Sequence, residues 1–127
     1  MAAVTRVMPS LTSPVGENFI RRGEATEAIL AGQVVALDGL PTSRRFEAAY
    51  SLAVDETTAI GVALKNAPQG EVVEVLIMGL MGGYADLTPG DRLTVDAGEL
   101  DDTAPAAGVT SRFVAYNDTT VLVGFAG

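Results

Sequence analysis

The chain has 127 residues, enough for one domain with its own core, and nearly half of them are apolar. It contains no cysteine and no histidine, which removes disulfides, thiolate chemistry, the usual zinc ligands and the commonest general base. A formal charge of −8 argues against a nucleic-acid partner, and no stretch approaches the ~20 unbroken apolar residues of a membrane span.

Residues 1–23 keep no steady period and hold Pro9, Pro14 and Gly16 among serines and threonines. Such a segment cannot order itself on its own apolar surface. An extended arm is expected over 1–23, loose in the free protein, followed by one domain over 24–127. The N-terminus has no basic head before a long apolar run, so it does not read as a secretory signal, and a cytoplasmic origin is expected.

From residue 25 the pattern changes. AILAGQVVAL runs into the Asp38–Gly39 turn, and Pro41 delays any return strand. RRFEAAYSLAV (44–54) fits both a helix and a strand, and its neighbours favour strand. AIGVALKNA (59–67) predicts a strand ending near Asn66. EVVEVLIMG (71–79) carries the clearest strand signal. Val73, Val75 and Ile77 face one way, while Val72, Glu74, Leu76 and Met78 face the other. A strand apolar on both faces belongs inside a barrel-like closure or under a partner.

GLMGGYADLTPGD (79–91) is expected to be a glycine-rich connection. Next, DRLTV alternates, with Leu93 and Val95 inward. SRFVAY and TTVLVGFAG give two final strands, with Val121, Val123 and Phe125 on one face.

The second half echoes the first. GQVVALDGL (32–40) matches GDRLTVDAGEL (90–100), and residues 61–79 align with 112–127 once the turn is shortened. Two similar β-halves around one core are expected, although short strands flanked by turns also match by chance.

The polar residues suggest little chemistry. Asp96, Glu99, Asp101 and Asp102 lack the alternating spacing of a calcium loop. Glu71, Glu74, Asp86 and Asp91 could furnish a hydrolytic carboxylate pair, but no pair stands out. Glu74 lies on an apolar strand, where it either meets an arginine across a subunit contact or guards a strand edge. Lys65 stands beside a turn. No phosphate-binding loop or nucleophile elbow is present. The Arg21–Arg22 and Arg44–Arg45 pairs read as solvated surface or interface contacts. Met78, Leu80, Met81 and Tyr84 either plug one end of a barrel or form an association patch, and association is the favoured expectation.

The stretch 37–87, LDGLPTSRRFEAAYSLAVDETTAIGVALKNAPQGEVVEVLIMGLMGGYADL, resembles the small head decoration, or cement, proteins of tailed bacteriophages. The shared pattern is a strand ending in Asp, a Thr-Ser-Arg turn, an Ala-Ile-Gly-Val-Ala strand and a strand closed by glycine. It extends over roughly 25–127. The resemblance implies an all-β, β-tulip or barrel-like domain that forms a homotrimer, binds the major capsid protein on the outside of the head, uses no cofactor or metal, and is not an enzyme. The arm would bind the shell through Ala2, Val4, Arg6, Met8, Leu11, Val15 and Phe19. Met78, Leu80, Met81, Tyr84 and Glu74 would make the contact between copies. Deleting 2–15 is then expected to abolish shell binding and leave a folded oligomer. The rival roles are another virion module, such as a tail or fibre base, and a polysaccharide hydrolase.

Overall fold

One long strand organises the molecule. The computed structural model describes residues 3–12 and 18–124, which form ten strands and no helix. In chain order these are β1 (Thr5–Leu11), β2 (Phe19–Ala25), β3 (Val34–Leu37), β4 (Ala49–Leu52), β5 (Ala59–Ala63), β6 (Val72–Ala85), β7 (Thr94–Asp96), β8 (Glu99–Asp101), β9 (Phe113–Ala115) and β10 (Val121–Val123). The first half of β6 pairs with β2 and β5, and its second half pairs with β1 and β10.

The first half of the chain closes on itself. β4, β3, β5 and β6 follow one another by antiparallel pairing, and β2 joins the two ends. It runs antiparallel to β6 and parallel to β4, through Glu24↔Ala49 and Ala25↔Tyr50. The result is a five-stranded barrel. So few strands leave a narrow interior, and the cluster inside is correspondingly rich in small residues: Ala25, Ala63 and Ala67 beside Ile29, Val35, Tyr50, Val73 and Val75.

The second half repeats the order of strands. β9 and β10 pair antiparallel, as β5 and β6 do. The lead-in to β7 lies on β9, with Leu93 N–H donating to the Phe113 carbonyl at 2.9 Å and Ala115 N–H donating to that of Asp91 at 2.8 Å. β7 and β8 form a hairpin whose two turn residues, Ala97 and Gly98, both have positive φ. Such a turn matches the right-handed twist of the strands it joins. Val4 N–H donates to the Leu100 carbonyl at 2.7 Å and ties β8 to the start of β1.

A second core fills the space between the halves. Val34, Ala36, Val62 and Leu76, on the outer wall of the barrel, pack in one cluster with Met81, Tyr84, Leu93, Leu100, Phe113, Val121 and Val123. The barrel wall is thus apolar inside and out, which accounts for the two-faced pattern of residues 72–78. Each large side chain buried here contributes about 1.5–3 kcal/mol.

Two sequence expectations need correction. Residues 79–85 are not a connection but the continuation of β6. Gly79 (φ 146) and Gly83 (φ 90) bend the strand as it passes from one half to the other, so Met81 and Tyr84 still point into the core. The stretch over 3–12 and 18–23 is not a loose arm. β1 and β2 are both sheet strands, and Val4 belongs to the core. Between Arg6↔Tyr84 and Ser10↔Gly82 the register jumps, so Val7, Met8 and Pro9 bulge opposite Gly83. A proline is tolerated in a bulge because no ladder bond is asked of it. A Cβ on Gly83 would collide with the Met8 carbonyl, so glycine is required for β1 to lie this close.

Candidate interaction surface

The candidate carboxylates fall in different places: Glu71 and Glu74 lie at the barrel, while Asp86 and Asp91 line a separate surface hollow with Asp102. Glu74 accepts from Arg22 Nε at 3.2 Å and lies 3.8 Å from Lys65 Nζ. Its arginine partner therefore belongs to the same chain. Asp86 and Asp91 flank the Leu87–Gly90 turn at the surface. Asp101 caps its own turn by accepting from Thr103, and these hydrogen bonds hold its pKa below the usual carboxylate range. Asp55 is lowered in the same way by Thr57. Among the described residues no group of three or more acidic side chains is placed to hold a metal ion.

Glu24 is the buried exception. It accepts from the Thr42 N–H at 2.7 Å and from the Thr42 hydroxyl. The hydroxyl bond is the main reason its pKa is lowered, with the backbone bond next, and the two outweigh desolvation. This latch fastens segment 38–48, the link between β3 and β4, to β2.

The N-terminal residues divide between core and surface. Val4 is buried. Arg6 grips Glu99 with two bonds, Nε–Oε2 at 3.0 Å and Nη2–Oε1 at 2.8 Å, and Gln33 donates to the same carboxylate at 3.1 Å. Met8 is 78 % exposed beside exposed Val7, so the bulge displays both apolar side chains. Leu11 and Phe19 are exposed at the end of β1 and the start of β2. Ala2, Val15 and Phe125 lie outside the described residues.

The expected association patch divides too. Met81 and Tyr84 are buried, and the Tyr84 hydroxyl donates to the Gly32 carbonyl at 2.9 Å. Burial pushes its pKa well up. These two side chains plug the core and are closed to a partner. Met78 is exposed opposite Phe19, Leu80 is half-buried, and Glu74 is half-buried in its ion pairs.

Sequence reasoning passed over the grouping of cations. Five of the eight lysines and arginines (Arg21, Arg22, Arg44, Arg45 and Lys65) lie on or beside the five-stranded barrel. Arg21, Arg22 and Arg45 line one surface groove with Phe46 and Val72. The Arg21 guanidinium stacks 4.2 Å from the centre of the Phe19 ring, and that of Arg45 lies 5.0 Å from Phe46. The Phe-x-Arg and Arg-Phe spacings were the available signal, but only folding brings β2 and segment 38–48 together.

No family model and no curated protein matches the chain. Among solved structures it is similar to the N-terminal base of the head fibre protein gp8.5 of bacteriophage phi29. The TM-score is 0.60 at 17 % identity, over 84 % of this chain and 93 % of that one.

Proposed function

We propose that this chain is a structural component of a phage head, a module that works by binding neighbouring proteins and performs no chemistry of its own. The observation that carries the reading is the extent of the fold match. It spans 93 % of the phi29 head-fibre base, so the likeness reaches across that whole base and is not confined to one common motif. A base-type module, seated on the head and carrying or joining another protein, is the role this favours.

A decoration role, in which a homotrimer clamps major capsid subunits, is the second reading. The bulge favours it, because Val7 and Met8 project from an otherwise anchored strand and could enter an apolar pocket of a shell protein. Both readings take the major capsid protein as the partner and the virion as the location. Repeated weak contacts would suffice in either, because linked sites gain by effective concentration.

The test mixes purified protein with heads of the encoding phage that lack it and pellets them. The wild-type chain is expected to sediment with the heads. The Val7→Asp/Met8→Asp variant, whose altered side chains are exposed, is expected to stay folded and in the supernatant. Failure of the wild type to sediment would overturn the reading. Undiminished sedimentation of the variant would remove the bulge from it. Light scattering of the free protein tests the trimer.

A further inference from the structure

The barrel is incompletely closed at one place. β2 pairs with β6 from Phe19 to Glu24, but on its other side it meets β4 only at Glu24 and Ala25. Among the described residues no strand covers that other side over Phe19–Arg22. Backbone groups of a strand alternate between its two neighbours, so an uncovered side presents N–H and C=O groups ready to pair. The lead-in to β4 stands off here, and the space between is the groove lined by Arg21, Arg22, Arg45 and Phe46.

We propose that this groove receives an extended, carboxylate-bearing segment of another protein as an added strand on β2. An open edge supplies the backbone pairing that such recognition uses, and flanking side chains supply selectivity. Arg21 and Arg45 are held by their stacking on Phe19 and Phe46, and neither is in an ion pair among the described residues. Each is therefore available to a carboxylate, the group an arginine fork fits best. Phe46, on the lead-in to β4, offers apolar contact to a side chain of the guest.

Glu47 and Glu71 line the same groove and narrow the choice of occupant. A polyphosphate backbone would bring unbroken negative charge against both. A peptide strand places one side chain every second residue, so it can set a carboxylate by an arginine and a neutral residue by a glutamate. An edge can also be guarded against pairing by its own charges. Here the charges are drawn away from that duty, Arg21 onto Phe19 and Arg22 onto Glu74. The proposal does not depend on a place in the virion, since the edge is open whatever the chain's role.

The probe is a fluorescein-labelled seven-residue peptide of alternating valine and threonine with one central glutamate, titrated into the full chain. Saturable binding is expected, with new hydrogen-exchange protection confined to Phe19–Arg22. Replacing the central glutamate with lysine, or using the Arg21→Glu/Arg45→Glu variant, should weaken binding by at least ~tenfold, the worth of one charge-assisted bond. Methylating alternate peptide nitrogens should abolish it. Both arginines are exposed, so the variant should retain the wild-type circular dichroism. Absence of saturable binding, equal binding of the methylated peptide, or protection elsewhere would overturn strand addition. Binding indifferent to both charge changes would overturn the carboxylate requirement.

Discussion

The two halves of this protein follow one strand order and differ in their links. β7 and β8 are joined by a two-residue turn, and little is displayed there. The corresponding β3 and β4 are joined by segment 38–48, which carries Thr42, Arg44 and Arg45 and stands over the open edge of β2. The scaffold is common to both, whereas the recognition surface grows where the repeat has been interrupted. The halves also close differently. β2 closes the first by long pairing, and β1 with its bulge closes the second, reinforced by the Arg6–Glu99 fork.

The largest effect should come from removing the strand that closes the second half. Deleting 1–15 strips β1 from β6 and Val4 from the core. Instead of a folded oligomer, the truncated chain is expected to lose more than ~4 kcal/mol, the range of exceptional destabilisation. Urea unfolding followed by circular dichroism measures it, and an unchanged midpoint would show that the halves do not need β1.

Phe113→Ala sharpens the contrast between the cores. Phe113 is fully buried in the cluster between the halves, and its truncation should cost about 3–5 kcal/mol. Val35→Ala inside the small barrel removes far less volume and should cost about 2 kcal/mol. Equal losses in urea melts would mean that the halves do not differ in packing as described.

Next in size is Gly83→Val, which should cost ~1–3 kcal/mol through backbone strain and collision with β1. Hydrogen exchange should quicken in β1 and leave β2 protected. Acceleration in both strands alike would tie them into a single unit.

Much of this architecture could be read from the chain. The two-faced run at 72–78 predicted a strand buried on both sides, and Leu93 and Val95 are both buried as their alternation required. The echo between 32–40 and 90–100 marks β3 and the β7–β8 hairpin. What escaped was non-local. Glycines at 79, 82 and 83 look like a flexible link until β10 is seen pairing with the first and β1 lying against the other two, and Pro9 looks like a strand breaker until the bulge gives it a place. For the same reason Met81 and Tyr84 looked available to a partner. Arg45 lies more than twenty residues from Arg21 and Arg22 in sequence, and the three share a groove only once β2 has closed the barrel.

The smallest effect concerns the latch on segment 38–48. Glu24 has a lowered pKa in the folded chain, so its contribution is present above the unfolded value and is lost as pH falls through the folded one. Thr42→Val removes the hydroxyl donor and leaves the N–H. The variant should be less stable at neutral pH, and the gap to wild type should close in acid, below the ordinary glutamate range. A gap constant from pH 7 to pH 3 in parallel melts would show that the latch is not electrostatic.

The central proposal is that this chain acts through its outside, as a fixed part of a phage head. Single-particle imaging of mature particles of the encoding phage tests it most directly. Density on the head that fits the five-stranded barrel and its attached second half, with the Val7–Met8 bulge against a neighbouring protein, is the expected result. Particles without such density, while the chain is recovered only from the soluble lysate, would contradict it.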